Sequence, residues 1–197
     1  VSQLAPNFFM PDYGSRLTSA IYIRGIGSRI NNPAVGLYGD NIPFNDKSAF
    51  DFNLNDIERI EVLRGPQATL YGRNTMGGLI KAYTRSPLTY TGTDIHLGYA
   101  TGDNHFLGSF THYHHPTEKF AWYIGGYYER SSGFFKNDIT GKKVDDLQSA
   151  GGRVRALFLP TTKLKFDLNV NYDFNKEGAY PYFYEGAIGQ PVEPRPE

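Results

Sequence analysis

The sequence contains no cysteine, which excludes disulfides, thiolate metal ligands and cysteine nucleophiles together while leaving oxidising compartments open. It also lacks any apolar run near the ~18 residues that a membrane-spanning helix requires, and its start shows no basic segment followed by an apolar one. A helical membrane protein is thereby excluded. A membrane β-barrel is not, because barrel strands alternate apolar and polar residues and average out in hydropathy. An excess of charge of one sign is missing too. The 20 basic side chains balance 20 acidic ones, so net charge points to neither nucleic acid nor an anionic surface.

What the 197 residues have in quantity is aromatics and glycine, with 15 Tyr, 14 Phe and 22 Gly. That combination favours strands, turns and barrel interfaces over helix bundles. The chain begins at Val1 amid ordinary domain-like sequence and stops in the proline-rich "GQPVEPRPE", so it reads as a piece of a longer protein.

The texture changes near Pro87. Before it, short strands such as "SAIYIRG", "AVGLYGD", "RIEVLRG" and "GLIKAYT" are separated by Gly, Pro and Asn corners. After it, long alternating runs take over. In "LKFDLNVNYDF" the even positions from Leu164 to Phe174 are apolar and the odd ones polar, so one strand face is apolar and the other wet. "FAWYIGGYYER" places Phe120, Trp122, Ile124 and Tyr128 on one side, and "GGRVRALFL" separates Val154, Ala156 and Phe158 from Arg153 and Arg155. "DIHLGYAT" and "HFLGSFTHY" read as a further pair joined at Gly102-Asp103-Asn104. Short links, around Pro116 and at Pro160 to Lys163, alternate with long ones, from Ser132 to about Gln148 and from Lys176 onward. A barrel with tight turns at one rim and broad loops at the other has this pattern, although the Gly102 turn is short on the broad side.

Several motifs carry possible chemistry. "YIRGIGSRI" starts like a dinucleotide fingerprint, but Ile30 occupies the third glycine position and Pro33 would break the following helix. "GRNTMGG" has phosphate-loop glycine spacing, yet Gly78 stands where the lysine should be and no Ser or Thr follows. His112 and His114 share a strand face, a geometry compatible with a metal pair; no third ligand is evident nearby, and solvated histidines beside His115 and Pro116 are the simpler account. Glu58 and Glu61 are interspersed with Arg59 and Arg64, which favours ion pairing over acid and base catalysis, and Asp145-Asp146 is a second acidic pair. No nucleophile elbow is present. No catalytic residue, metal site or cofactor is expected.

The most informative stretch is "IERIEVLRGPQATLYGRNTMGGLIKAYTRS" from Ile57 to Ser86. Gly65-Pro66 ends a strand, because proline donates no backbone hydrogen bond. "QATLYG" fits one helical turn, and Gly77-Gly78 permit close packing or positive backbone angles where the chain enters a second strand, Leu79 to Thr84. The stretch reads as an architectural joint: strand, turn, helix, strand.

This run closely resembles the plug-domain signature of TonB-dependent outer-membrane receptors, with its Arg-Gly-Pro corner, its Leu-Tyr-Gly and its paired glycines. "IYIRGIG" at Ile21 to Gly27 resembles the Ile-Arg-Gly strand of the same plug, and "VGLYGDNIP" resembles its next strand and turn. The matching motif backbone comprises Gly25, Gly65, Pro66, Tyr71, Gly72, Gly77 and Gly78. The resemblance implies a mainly β fold: a small α+β plug over residues 1–87, then roughly the first five strands of a 22-stranded antiparallel transmembrane β-barrel over 88–197.

It further implies a Gram-negative outer-membrane location and active uptake of a scarce nutrient. Such receptors bind cargo on outer loops and the plug apex, and a TonB protein energised from the inner membrane rearranges the plug. The implied partners are TonB, through a segment absent here, outer-membrane lipid and a small-molecule nutrient, with no nucleic acid. By resemblance, Arg24, Glu61 and Arg64 belong to polar contacts between plug and barrel, since buried charges facing a lumen need partners. They would alternatively only stabilise the plug. A ferric siderophore is the expected cargo; it, or cobalamin, would be carried rather than held as a cofactor. The "RGPQA" run departs from the starch-utilisation branch of the family, which lowers an oligosaccharide cargo. Tyr180, Tyr182, Phe183 and Tyr184 would lie in an outer loop, either stacking on a ligand or joining the aromatic belt. Two other classes remain: a non-transporting structural or adhesion barrel, which has no reason to carry the plug signature, and a soluble carbohydrate-binding β-protein, which would not depend on detergent.

Overall fold

The computed structural model describes residues 5–11, 15, 20–28, 32–46, 56–137 and 140–178. Among these, three sheets form. β1 (Phe8–Phe9), β2 (Tyr22–Ile23) and β3 (Ile26–Gly27) make a small antiparallel sheet. β4 (Val35–Gly39), β5 (Ile42–Phe44), β6 (Ile57–Arg64) and β7 (Gly78–Thr84) make a four-stranded sheet in the order β5-β4-β7-β6. β8 (Gly92–Ala100), β9 (His105–Thr117), β10 (Phe120–Ser131), β11 (Leu147–Thr161) and β12 (Leu164–Glu177) follow one another in a five-stranded antiparallel sheet.

The first two sheets share a core of Phe8, Ile21, Ile23, Val35, Leu37 and Ile80, with Phe44 and Val62 packed against it. β4 and β7 pair in parallel from Val35↔Gly78 to Gly39↔Ala82, and β6 returns antiparallel along the other side of β7. Such a parallel pair needs a crossover, which explains why the chain makes β5, β6 and the helical turn α1 (Ala68–Tyr71) before β7.

The stretch "SAIYIRG" is not one strand. It stops at Ile23, because Arg24 (φ 53°) and Gly25 (φ 80°) form a tight turn that returns as β3. Asp40 (φ 48°) and Asn41 (φ 69°) do the same between β4 and β5. Positive φ at both central residues is the backbone of a type I′ hairpin turn, whose twist matches the flanking strands. The joint at 65–77 is closed on itself: the Gly65 amide donates to the Gly77 carbonyl (3.1 Å) and the Gln67 amide to the Thr75 carbonyl (3.0 Å). It is architecture, as its sequence indicates.

The antiparallel sheet has two unlike faces. Across β9 to β12 the even-numbered residues share one face, registered as Phe110, Gly126, Gly152 and Tyr172 in one row and His112, Ile124, Val154 and Val170 in the next. Exposed Leu97, Phe110, Ile124, Val154, Leu168 and Phe174 lie on this face. The opposite face carries buried Ser109, Thr111, Tyr113, Tyr123, Glu129, Arg153 and Arg155, with Ala121 and Leu157 buried among them. Apolar outside and polar inside is the pattern of a membrane barrel wall. The strands run 9, 13, 12, 15 and 14 residues, at or above the ~9–11 that a tilted strand needs to cross.

Their connections are residues 101–104, 118–119, 132–146 and 162–163. Pro116 sits inside β9 instead of in the link expected around it, and the turn falls at Glu118-Lys119. A register shift between Phe120 and Trp122 accommodates that end of the ladder, where a proline cannot donate. Pro160 likewise lies next to the last residue of β11, within a shift between Phe158 and Thr161.

Candidate functional site

Among the described residues, polar side chains of the two halves meet most densely around Arg153 and Arg155. β11 alternates, so Arg153 and Arg155, two residues apart, both point to the inner face of the antiparallel sheet. The mixed sheet brings Asp40, held in the β4–β5 turn, Asp56, just before β6, and Thr84, the last residue of β7, against them. Arg153 pairs with Asp40 through one guanidinium nitrogen and donates to Asp56 (3.3 Å) through the other, while its Nε donates to Asn169 of β12 (3.0 Å). Arg155 grips Asp167 of β12 with two bonds of 2.9 Å and extends its remaining nitrogen to Asp40 (3.3 Å) and Thr84 (3.1 Å).

Asp40 is fixed from its own side as well. The Thr84 amide (2.9 Å) and hydroxyl (2.6 Å) both donate to its carboxylate. This bond also ties the β4–β5 turn to the end of β7, as does the Asp40 amide on the Ala82 carbonyl (2.9 Å). Side chains of Asp40 and Arg153 are 9% exposed and that of Asp56 is 3% exposed, so the group is desolvated and its members depend on each other. Lys165, half exposed, adds a second cation at Asp167 (3.5 Å).

The two carboxylates of the mixed sheet respond differently to this setting. Burial pushes the Asp40 pKa up, but the Thr84 hydroxyl and amide and the Arg153 and Arg155 guanidiniums outweigh it and hold the group below its ordinary value. Burial also dominates at Asp56, where Arg153 offsets only part of it and the Asp40 charge adds to it; its pKa is raised. Nearby, Arg85 pairs with Asp94 (2.9 Å) and lies 4.5 Å over the Tyr90 ring. That rivets the link between β7 and β8.

Arg24 is exposed in the β2–β3 turn, and its amide donates to Asn7. Arg64, also exposed, donates to the carbonyl of Pro6 (3.4 Å). Those two residues therefore converge on one segment, Pro6-Asn7. Glu61 instead pairs with Arg59 along β6 (2.9 Å). Among the described residues, the hydrogen bonds of the Glu61 and Arg64 side chains stay within the first half of the chain.

Of the motif positions, Gly25, Gly65 and Gly72 have positive φ, and Pro66 is exposed at its corner. Tyr71 receives the Lys81 ammonium on its hydroxyl (3.4 Å) and the Tyr38 hydroxyl on its carbonyl (2.8 Å). A Cβ on Gly77 would lie 2.9 Å from the Ile26 carbonyl oxygen, so two sheets approach there. Tyr180, Tyr182, Phe183 and Tyr184 lie outside the described residues. His112 and His114 stack at 6.2 Å on the outer face beside Trp122.

Asp40, Asp56, Thr84 and Asp167 were not among the residues that the sequence singled out for this contact. One signal was present: two arginines on the wet face of a strand demand anions, and Asp40 stands in the turn motif that faces them.

The family model described as TonB-dependent Receptor Plug Domain matches residues 1–79. The pesticin receptor of Yersinia pestis is 38% identical over 87 residues, 43% of this chain and 13% of that protein. Residues 1–79 thus match the plug domain of TonB-dependent receptors. The vitamin B12 transporter BtuB of Vibrio vulnificus strain YJ016 is 33% identical over 99 residues, 48% of this chain and 16% of the transporter. Among solved structures, the ferric yersiniabactin uptake receptor FyuA of Yersinia pestis superposes with a TM-score of 0.75 at 24% identity, over 86% of this chain and 27% of that one. The chain thus spans only a small part of these relatives. Its first sheets are plug, its antiparallel sheet is early barrel wall, and its place is the Gram-negative outer membrane.

Proposed function

We propose that the full-length parent takes up a scarce nutrient across the outer membrane with energy delivered through TonB, and that the nutrient is a ferric siderophore. The observation that carries this reading is the clamp of Asp40 and Asp56 on Arg153 and Arg155. It joins plug to wall through charges and hydrogen bonds, with the plug's own apolar core kept separate. An apolar joint would fuse the two bodies. A charged one holds the plug while closed and is satisfied by water once pulled apart.

The proposed division is plug over 1–87 and wall over 88–197. Arg24, Glu61 and Arg64 are proposed to meet wall strands beyond β12. Tyr180, Tyr182, Phe183 and Tyr184 are proposed to line the outer loop after β12 and to touch cargo. On this reading the full-length parent performs transport, not catalysis, and needs no cofactor; iron travels as cargo. The likeness to FyuA, a ferric yersiniabactin uptake receptor, supports a ferric siderophore, while that to the vitamin B12 transporter BtuB supports cobalamin as the second reading.

The test is growth of an iron-starved host carrying the parent gene, with candidate siderophores, in wild-type and TonB-deleted backgrounds. Growth that requires both genes supports the proposal. Receptor-dependent use of cobalamin without any iron source would replace the cargo, and use that ignores TonB would refute the mechanism.

A further inference from the structure

Between its apolar rows the lipid-facing side of the wall carries a polar patch. One row runs Thr93, His112, Ile124, Val154 and Val170 across β8 to β12, and the next runs His114, Trp122, Ala156 and Leu168 across β9 to β12. On one side of them lies the row of Ile95, Phe110 and Tyr172, and on the other that of Phe120, Phe158 and Phe166, all exposed. Solvated histidines are expected from the sequence; the wall instead sets both imidazoles among apolar rows. His114 is exposed and His112 half-buried. Thr93 Oγ1 and His112 Nδ1 share a hydrogen bond (2.8 Å). The two imidazole rings stack at 6.2 Å, and the Trp122 ring lies 5.3 Å from the first and 5.7 Å from the second. Among the described residues, His112 Nε2, the His114 ring and the Trp122 indole make no hydrogen bond.

Polar nitrogens facing hydrocarbon are costly, and ionisable side chains at such depth are satisfied by protein because lipid tails offer neither donors nor acceptors. Whatever covers this patch must therefore bring both, at the same depth. A second copy of the chain meets that condition. A two-fold axis along the membrane normal keeps every residue at its own depth, so the patch of one copy faces the patch of the other. The patch is also self-complementary. A neutral imidazole carries one donor and one acceptor, and an indole N–H only donates. His114 of one copy can thus accept from Trp122 of the other, and the reverse contact follows by symmetry. These residues sit on the neighbouring strands β9 and β10, a strip narrow enough for two convex walls to touch.

We propose that two copies of the full-length parent associate within the membrane through the outer face of β9 and β10, with His112, His114 and Trp122 at the centre of the contact. The proposal rests on the barrel-wall reading of β8 to β12 and is independent of the cargo.

The test places the full-length parent in phosphatidylcholine bilayers at a series of protein-to-lipid ratios, with energy transfer between donor-labelled and acceptor-labelled copies reading association. Four proteins are compared: wild type, His112→Leu with His114→Leu, Trp122→Phe, and Tyr172→Leu on β12. Leucine adds apolar surface to the lipid face, so a loss of association in the histidine variant is not a loss of the barrel; heat-modifiable migration on a gel checks each protein. The histidine and tryptophan variants each remove both symmetry-related hydrogen bonds. At roughly fivefold for each bond, the dimer dissociation constant should rise tenfold or more in both, while Tyr172→Leu should match wild type. A wild-type parent that stays monomeric at every density would overturn the proposal and leave lipid as the cover. Unchanged association in either folded patch variant would also overturn it, as would an equal loss in Tyr172→Leu. A parent that never forms a heat-modifiable barrel would instead overturn the wall reading beneath it.

Discussion

Removing the Arg153 guanidinium leaves Asp40 and Asp56 facing each other in a site where their side chains are almost fully covered. Breaking a buried pair in this way costs about 3–5 kcal/mol. Arg153→Gln should therefore loosen the plug, seen as faster hydrogen exchange of β4 and β7 amides in the full-length parent. Asp40→Asn should do the same, and the double variant should lose less than the sum, because each change already removes the other's partner. Strict additivity would refute the clamp. The pH dependence has two opposed parts. Asp40, with its pKa lowered, stabilises the closed plug above its ordinary value, and that contribution disappears as pH falls through the lowered one. Asp56, with its pKa raised, takes up a proton in the closed plug before the free chain does, so it adds stability as pH falls from its raised value toward the ordinary one. Asp56→Asn should flatten the mildly acidic part of the exchange profile and leave the strongly acidic loss in place; an unchanged profile would show that Asp56 does not titrate there.

The joint between β6 and β7 depends on Gly78. Its φ is 154°, and an added Cβ would come 2.5 Å from the Leu63 carbonyl oxygen and 2.7 Å from an Ile23 methyl. Gly78→Val should cost about 1–3 kcal/mol through strain and overpacking, read as increased protease cleavage in the plug with the barrel still heat-modifiable. Gly125, Gly126, Gly151 and Gly152 show a second use of glycine, in the wall. An added Cβ on Gly151 would overlap the Tyr127 ring, whose hydroxyl continues to Asp173 of β12 (2.8 Å). Alternation in "LKFDLNVNYDF" and "GGRVRALFL" was enough to find β11, β12 and their faces, because a half-lipid, half-polar strand has to alternate. The plug hairpins were less legible. Nothing in the hydrophobic pattern of "SAIYIRG" distinguishes a continuing strand from one turned back at Arg24-Gly25, since the turn depends on two backbone angles. The clamp was half legible. Its arginines lie in a regular strand whose face can be counted, whereas Asp40 and Asp56 come together with them across more than 95 residues of sequence.

At the level of the whole molecule, the proposed function requires the plug to be held when idle and released when pulled. Its inner core of Ile23, Val35, Leu37 and Ile80 is continuous and dry, whereas its contact with the wall is ionic. The part that moves should therefore be the interface, with the plug core opening later or not at all. This chain has no cysteine, so once any cysteine elsewhere in the full-length parent is replaced by serine, a single introduced thiol reports that movement. Ala82 is 5% exposed, lies in β7, and its carbonyl receives the Asp40 amide, so Ala82→Cys changes little volume and sits beside the clamp. The decisive measurement is maleimide labelling of this thiol in cells producing the full-length parent, with and without iron-loaded siderophore and with and without TonB. The account predicts labelling that requires siderophore and TonB in the wild-type background, and labelling without siderophore once Arg153→Gln is added. Labelling at one rate in all of these conditions would contradict it.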